Sequence, residues 1–340
     1  MQEIIPGIYW IKLPMLDGDD AGLDFVNAYV IKGNSGYLLV DAGWSTAGSF
    51  AALKNGMIKI GADIKDISQI IVTHVHPDHY GMAGRIKKIS GASLAMHHIE
   101  EGFINSRYVS MDMLIHEIDL LLLANGVPPK MITALSQATV GLQQYVVVTY
   151  PDIILHDGQI VSTGPFNFKV IWTPGHSSGH ICLYEPDKKI IISGDHVLPS
   201  ITPNVSVHPQ AIENPLGRYF NSLNELKMLD VAFALPGHEK PFTEFSKRVD
   251  KILKHHRQRN EEILEALGNE PGTSYRIAQN IKWGTQGTWQ SLPDFHKRMA
   301  VLETLAHLTM MAGEGKVERL PGENIMLFRK AAPHSAAPRQ

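Results

Sequence analysis

The chain has 340 residues, of which 44% are hydrophobic and 19% charged, and its formal net charge is −3 at pH 7. This length allows one large domain and one smaller one, and the composition predicts a globular protein with a sizeable core. Residues 246–330 carry a charge balance of +4 and residues 1–245 a balance of −8. The contrast is too mild to indicate a nucleic-acid-binding protein by itself.

The single cysteine excludes an internal disulfide and a cluster of thiolate ligands. Cys182 lies in an apolar run, and we expect it to be a small core residue. No window approaches the ~20 apolar residues that a membrane helix needs, and residues 1–6 lack the features of a secretory signal. We therefore expect a cytoplasmic protein with no membrane partner.

The first part of the chain reads as strands separated by turn residues. Three runs predict an antiparallel meander with strands at 7–13, 24–32 and 36–41. Asp41 ends the third strand, where it could serve in catalysis or only form a turn. Ser45 or Thr46 can cap a helix that runs to about residue 61, and a further strand is predicted at 69–73.

That strand runs into four closely spaced side chains that bind metals, His74, His76, Asp78 and His79. Residues two apart in an extended chain point to the same side, so His74 and His76 can bind one ion. Pro77 ends the strand, and Asp78 and His79 lie where a helix at 79–88 is predicted to begin. The pattern predicts two adjacent metal sites, the alternative being a surface turn rich in histidine.

A helical region follows the next predicted strand, at 92–97. His97 and His98 end that strand, and we expect them to be ordinary polar residues. Residues 99–148 show helical periodicity, and one stripe contains Met113, Leu114, Ile118, Leu121 and Leu122. This excursion could be a lid or pocket wall, or a helical hairpin packed as core.

Strands return in the second half, at 153–155, 158–163, 167–172, 180–185, 189–193 and 231–235. Three of them are followed by a turn and then by His176, Asp195 or His238. Together with Asp41 and the cluster from His74 to His79, the pattern of strand, turn and Asp or His occurs five times. Five repetitions in the same topological position predict one constellation of side chains.

The order and spacing of these residues resemble the five motifs of the metallo-β-lactamase superfamily, over about residues 1–245. The resemblance implies an α/β fold, an αββα sandwich of two mixed sheets with the site at one edge. It also implies the ligands, which are His74, His76 and His176 for one ion, Asp78, His79 and His238 for a second, and Asp195 between them. Asp41 would hydrogen-bond a ligand imidazole and fix its tautomer. These donors suit two Zn²⁺ ions, and Fe or Mn could occupy the same set.

Two ions about 3.5–4 Å apart lower the pKa of a bridging water to roughly 7, which provides a hydroxide nucleophile at neutral pH. We expect Asp78 to act mainly as a ligand and also as an acceptor of the nucleophile's proton. His196 follows Asp195 and is an optional proton donor, with a structural role as the alternative. The catalytic candidates are therefore Asp41, Asp78 and His196.

The C-terminal region bears on the substrate. Residues 173–182 look like the corresponding segment of glyoxalase II thioesterases, but the basic glutathione-binding residues of that family are missing further on. Helices predicted at 242–267, 273–281 and 293–312, followed by a hairpin, predict a winged-helix-like module over 246–330. In this respect the chain is similar to β-lactamase-like hydrolases that carry such a C-terminal segment. Small-molecule hydrolysis and endoribonuclease activity both occur in that group.

The module contains basic residues that could contact RNA, namely His296, Lys297, Arg298, Lys316 and Arg319. Glutamates lie among them, whereas a phosphate-binding surface usually shows a denser basic stripe. We therefore favour a packing and pocket-closing module over a nucleic-acid-binding one. The Ala- and Pro-rich tail at 331–340 is predicted to be disordered.

The sequence thus predicts a dinuclear metal-dependent hydrolase that cleaves a small-molecule thioester, ester or lactone. A metal-dependent endoribonuclease or phosphodiesterase is the alternative, and an iron-dependent sulfur dioxygenase is a weaker one. The oligomeric state stays open, a homodimer being the commonest outcome.

Overall fold

The computed structural model describes residues 1–16, 23–284, 287–320, 322 and 324–332. The chain divides into two compact units. The first contains Met1–Leu114, Thr139–Val205 and Gln210–Leu253. The second contains Ile115–Ala138, Ser206–Pro209 and the described residues from Lys254 onward. The predicted tail lies outside the described residues from position 333.

Seven strands form the first sheet in chain order: β1 (Gln2–Ile5), β2 (Ile8–Pro14), β3 (Phe25–Lys32), β4 (Tyr37–Val40), β5 (Ile67–Ile71), β6 (Ser93–His97) and β7 (Ile153–Leu155). Strands β1 to β4 pair antiparallel, which confirms the predicted meander. From β4 to β7 the pairing is parallel. Parallel neighbours need a crossover, and helical segments provide it.

Five strands form the second sheet: β8 (Ile160–Thr163), β9 (Phe166–Trp172), β10 (Ile181–Glu185), β11 (Ile190–Gly194) and β12 (Phe233–Pro236). Their spatial order is β12-β11-β10-β9-β8, and only the β11–β12 pair is parallel. Both sheets are therefore mixed, as predicted.

The helices in the described ranges are α1 (Ala47–Lys59), α2 (Pro77–Tyr80), α3 (Ala83–Ser90), α4 (His98–Tyr108), α5 (Asp112–Ala124), α6 (Pro129–Ser136), α7 (Pro215–Lys227), α8 (Phe245–Leu267), α9 (Ser274–Ala278) and α10 (Asp294–Gly313). Helix α1 begins as predicted, because the Thr46 hydroxyl accepts a hydrogen bond from Ser49 N (3.0 Å). Strand β1 and helix α7 have no counterpart among the sequence-based predictions.

The first sheet is buried on both faces, and β3 shows how. Val26 and Ala28 belong to one apolar cluster with Leu53 and Met57 of α1. Tyr29 and Ile31 point to the opposite face, into a cluster that contains strand residues of the second sheet. Alternation along a strand thus supplies two apolar layers, one under helices and one between the sheets. This is the predicted α/β sandwich.

The predicted helix at 79–88 is wrong as a single element. The chain forms α2 and α3 instead, with a break at Gly81 and Met82. Met82 N donates to Gly43 O (2.8 Å), outside the helical pattern. A Cβ atom at position 81 would approach Pro77 O to 2.4 Å and Tyr145 O to 2.9 Å. Close packing of three backbone segments therefore interrupts the helix.

The helical excursion consists of α4, α5 and α6. Leu114, Ile118 and Leu122 of the predicted stripe are buried, whereas Met113 is 70% exposed. Met113 precedes the packed part of α5. Most of α5 and all of α6 belong to the second unit.

The second unit has its own apolar core, with Ile263, Ile277, Leu308, Met311 and Phe328 among its members. Helices α8, α9 and α10 precede an antiparallel hairpin of β13 (Val317–Leu320) and β14 (Leu327–Lys330). These are the predicted elements, and the winged-helix likeness stays a prediction. The division between the two units follows Leu253, within α8, and the domain bounds expected from the sequence stay a prediction.

Cys182 is buried, as expected. Among the described residues, no helix combines the length and apolar character required to cross a membrane.

Candidate metal centre

The loops at one edge of the two sheets are joined by backbone hydrogen bonds. Ile181 N donates to Thr73 O (3.0 Å), and Asn27 N donates to Gly237 O (2.7 Å). Gly237 N in turn donates to Gly194 O (2.7 Å). The strand ends that carry the predicted site residues are thereby held together. Strand β5 ends two residues before the predicted position, because Thr73 N donates to the Asp41 carboxylate.

Three ring nitrogens meet in the first group of donors. His76 Nδ1 lies 3.0 Å from His74 Nε2 and 3.0 Å from His176 Nε2. Nitrogens bound to one tetrahedral Zn²⁺ at 2.0–2.1 Å would lie roughly 3.3 Å apart. We call these residues the three-histidine group, and their spacing suits a shared ion.

A second group contains Asp78, His79 and His238. Asp78 Oδ2 lies 3.2 Å from His238 Nε2 and 3.6 Å from His79 Nε2. Asp195 Oδ2 lies 3.4 Å from both of these nitrogens and 3.7 Å from His176 Nε2. We call Asp78, His79 and His238 the carboxylate group, and Asp195 lies between it and the three-histidine group. The structure therefore brings all seven predicted ligands together.

The ring nitrogens on the far side of four imidazoles have hydrogen-bond acceptors. His74 Nδ1 contacts Thr73 Oγ1 (3.0 Å), and His79 Nδ1 contacts Asp41 Oδ2 (2.8 Å). The remaining two contacts go to backbone carbonyls, from His176 Nδ1 to Asn204 O (2.9 Å) and from His238 Nδ1 to Phe25 O (3.2 Å). In a neutral ring, donation from Nδ1–H leaves a lone pair on Nε2, which is the form that binds a cation.

Asp41 supports both donor groups without belonging to either. Its Oδ1 accepts from Thr73 N (2.8 Å), and its Oδ2 accepts from Thr73 Oγ1 (2.9 Å) as well as from His79. Because the Thr73 hydroxyl donates to Asp41, it is free to accept from His74. One buried carboxylate thus orients His79 directly and His74 through Thr73.

Electrostatics differ between the two groups. Burial, reinforced by neighbouring histidines, holds the pKa of His74 and of His76 well below 6.5. Burial also acts to lower the pKa of His79, but Asp195, Asp78 and Asp41 outweigh it and hold that pKa well above 6.5. The same competition raises the pKa of His238 to about 10. His74 and His76 are therefore neutral imidazoles, whereas the carboxylate group concentrates negative charge.

Two buried atoms at the centre test whether metal ions fit. His79 Nε2 and Asp195 Oδ1 have no hydrogen-bond partner among the described residues. Buried polar atoms are normally paired, so two unpaired atoms of ligand type within these groups are what a bound cation would explain. The residues present therefore fit divalent cations.

His196 does not join the donor groups. Its ring is fully buried, with its centroid 5.5 Å from that of His180 and 4.6 Å from that of Tyr219. Burial lowers the pKa of His196 to about 3, so the ring is neutral at physiological pH. This placement favours the structural alternative over proton donation. His97, as expected, also lies outside the donor groups and stacks on Trp172.

Sequence reasoning missed two residues that contact the site loops. His180 Nε2 accepts from Asp195 N (3.2 Å), while its Nδ1 contacts Thr173 Oγ1 (2.8 Å). Glu100 accepts hydrogen bonds from two of the loops that carry ligands. His180 stands in a segment with a second histidine, which is a usable signal. Nothing in the sequence around Glu100 distinguishes it from an exposed residue at a helix start.

Residues 21–238 match the family model of the metallo-beta-lactamase superfamily. The chain belongs to this superfamily. A "Probable metallo-hydrolase YqjP" of Bacillus subtilis is 24% identical over 309 residues, which cover 89% of this chain and 93% of that protein. The crystal structure of a metallo-beta-lactamase family protein from Thermus thermophilus is 27% identical and has a TM-score of 0.81, covering 96% of this chain and 100% of that one.

The human "Acyl-coenzyme A thioesterase MBLAC2" is 26% identical over 205 residues, 56% of this chain and 63% of that protein. The superfamily and the names of the similar proteins indicate a hydrolase.

Proposed function

We propose that the protein is a dinuclear metal-dependent hydrolase that cleaves small-molecule thioesters, with esters and lactones as further substrates. The observation that carries the proposal is the position of Asp195 Oδ2, which lies within 3.7 Å of nitrogens from both donor groups. A carboxylate oxygen shared between two sets of donors favours two adjacent ions over one.

Zn²⁺ is the ion we propose for both groups, because imidazole and carboxylate donors suit it, although they also suit Fe or Mn. The three-histidine group would hold one ion, the carboxylate group the other, and Asp195 both. When bound, such a pair of cations polarises a scissile carbonyl and lowers the pKa of a water molecule.

Asp78 is the proposed acceptor for the proton of the attacking water. Burial acts to raise the pKa of Asp78, but His79 and His238 outweigh it, and the pKa is lowered. The side chain is therefore a carboxylate at neutral pH. Asp41 contributes by holding His79 in one orientation and tautomer.

Arg107 supports a substrate with an anionic portion. Its Nε donates to Gln210 Oε1 (2.9 Å), and the next residue, Tyr108, donates from its hydroxyl to Val75 O (2.6 Å). The end of α4 is thereby fixed beside the loop of His76, whose pKa is lowered in part by the charge of Arg107. Within the described residues no ion pair includes Arg107. A cation without a carboxylate partner can bind phosphate or carboxylate groups, such as those of a coenzyme A thioester.

Three of the basic residues that could contact RNA make contacts within the protein. Lys316 pairs with Glu314 (2.8 Å), and Lys297 pairs with Asp294 (3.3 Å). Arg298 is buried and donates to the carbonyl oxygens of residues 135 and 136. These contacts favour a small-molecule substrate over a nucleic acid.

The test is thiol release from acyl-coenzyme A and acyl-glutathione thioesters by zinc-loaded protein, with lactones, a phosphodiester and RNA as comparison substrates. We expect thioester turnover that is lost on chelation and in His74→Ala, but kept in His98→Ala, which changes an exposed histidine. A protein that binds two zinc ions per chain and releases no thiol would contradict the thioesterase assignment.

The role proposed for Arg107 has a separate readout. Arg107→Gln should raise KM for coenzyme A thioesters about tenfold or more, since a hydrogen bond to a charged group contributes ~1.5–3 kcal/mol. The KM for N-acetylcysteamine thioesters, which lack phosphates, should stay unchanged. Equal effects on both substrates would contradict recognition of the anionic portion.

A further inference from the structure

Glu100 is a buried carboxylate beside the donor groups. It is the third residue of α4, and its side chain has no exposure to solvent. It belongs to none of the groups of metal-binding atoms. Across the described ranges, no ion pair includes it. A buried charge is costly unless hydrogen bonds compensate it, so its contacts require an explanation.

Three hydrogen bonds satisfy this carboxylate. Oε2 accepts from Val75 N (2.7 Å), and Oε1 accepts from Ser177 Oγ (2.6 Å) and from Gly179 N (2.6 Å). A Cβ atom at position 179 would lie 2.8–2.9 Å from atoms of Ile99 and Glu100, so only glycine allows this approach. The two loops therefore pack closely against the start of α4.

The residues that donate hydrogen bonds to Glu100 are sequence neighbours of the predicted metal ligands. Val75 lies between His74 and His76, and Ser177 follows His176. One carboxylate thus connects the two loops that supply all three nitrogens of the three-histidine group. The carboxylate group has other supports, since His79 is held by Asp41 and His238 by the carbonyl of Phe25.

We infer that Glu100 is a positioning residue that fixes the two halves of the three-histidine group and sets the metal affinity of that group selectively. The inference rests on the metal binding in the proposed function, but not on any substrate. Residues that orient metal ligands typically contribute 10- to 100-fold to affinity.

The test compares zinc affinities at both sites in Glu100→Gln and in the unchanged protein, by titration against chelators of graded affinity. An amide keeps the volume, but its NH₂ group cannot accept the bonds that one carboxylate oxygen accepts. We expect the affinity of the three-histidine group to fall about 10- to 100-fold, and that of the carboxylate group to change by less than about threefold. Cobalt substitution assigns each step, because visible absorption changes as each group fills.

The matched control is Glu101→Gln, the adjacent residue, which makes none of the three contacts and should leave both affinities unchanged. Thermal unfolding of the metal-free proteins separates positioning from stability. A variant that binds both ions with unchanged affinity, or loses both equally, would overturn the inference. If the unchanged protein binds no metal, the proposed function fails instead.

Ser177→Ala gives a second route should Glu100→Gln fail to fold. It removes one of the three hydrogen bonds without changing a ligand, and should weaken the three-histidine group about threefold to tenfold. Unchanged affinity at that group would also overturn the inference.

Discussion

Asp41 and Glu100 are two residues that hydrogen-bond the ligands or the loops that carry them, and they support different parts of the site. Each is a buried carboxylate that accepts three hydrogen bonds, and neither belongs to a donor group. Asp41 supports His79 directly, whereas Glu100 contacts only the loops of the three-histidine group. Substitution of Glu100 should therefore weaken the three-histidine group alone, whereas substitution of Asp41 should weaken the carboxylate group most strongly.

The first prediction concerns Asp41→Asn. Asp41 has a backbone φ of 59°, and asparagine tolerates this left-handed conformation, so the substitution changes chemistry more than backbone. The amide has one accepting oxygen where the carboxylate has two, so it can no longer accept all three hydrogen bonds from Thr73 N, Thr73 Oγ1 and His79 Nδ1. We expect zinc affinity at the carboxylate group to fall about 10- to 100-fold, the larger effect being there rather than at the three-histidine group.

Metal titration of this variant beside Glu100→Gln provides the measurement, and each variant serves as the other's control. Identical patterns of loss would contradict the division of roles. The Asp41→Asn substitution should also reduce the free energy of unfolding by about 1–3 kcal/mol, because buried donors lose an acceptor.

The difference between these carboxylates also explains what the sequence could reveal. Asp41 and the seven predicted ligands follow strand ends, and the chain order of those motifs is recognisable. Glu100 acts through contacts with residues 75, 177 and 179, which are distant in sequence. Such contacts leave no local pattern, so its role required the structure.

At the scale of elements, periodicity predicted most of the strands, but helix α7 and the break between α2 and α3 were missed. The signal for α7 was present, since Asn214 caps it, Pro215 is its first residue, and Leu216, Tyr219 and Leu223 form a buried stripe. The break between α2 and α3 had no such signal. It depends on Gly43 and Tyr145, whose backbone carbonyls approach Gly81.

The second prediction is therefore that Gly81→Ala destabilises the protein. Its Cβ atom would meet backbone atoms at 2.4–3.1 Å, and backbone cannot move aside as a flexible side chain can. We expect a loss of about 1–3 kcal/mol in the free energy of unfolding. Urea denaturation followed by circular dichroism measures it.

Gly102→Ala is the matched control, because position 102 lies in α4 with nothing within 4 Å of a new Cβ atom. There the substitution should stabilise by about 0.5–1 kcal/mol, the ordinary difference between alanine and glycine in a helix. Destabilisation of the same size at both positions would show that close packing at Gly81 is not the cause.

At the scale of the whole molecule, α6 and most of α5 belong to the same unit as the C-terminal helices, although about 115 residues separate Ala138 from Lys254. The amphipathic pattern of α5 predicted a helix with a buried side, but not which residues would cover it. Leu121 packs against the core of the second unit. Contacts between residues that are far apart in the sequence decide to which unit a helix belongs. No local sequence pattern predicts such contacts.

The second unit also contains a buried pair of histidines. His256 of α8 and His307 of α10 are fully buried, with 3.4 Å between His256 Nδ1 and His307 Nε2. His307 Nδ1 also contacts Asn260 Oδ1 (2.6 Å). Burial, with added repulsion from His255 and Arg259, lowers the pKa of His256 to about 3. Burial and the charge of His256 hold the pKa of His307 well below 6.5.

The third prediction follows from the sign of these shifts. Both pKa values are lower in the folded state than the value of about 6.5 in an unfolded chain, so the unfolded state binds more protons in acid. The free energy of unfolding of the second unit should reach its full value above pH 6.5 and should decrease below that pH, by up to about 1.4 kcal/mol per pH unit for each histidine.

Amide hydrogen exchange of peptides from α8 and α10, corrected for intrinsic rates, measures the slope of this free energy against pH. The double substitution His256→Leu and His307→Leu should flatten it, whereas His255→Gln, at an exposed position, should not. An unchanged slope in the double variant would assign the acid sensitivity to other groups.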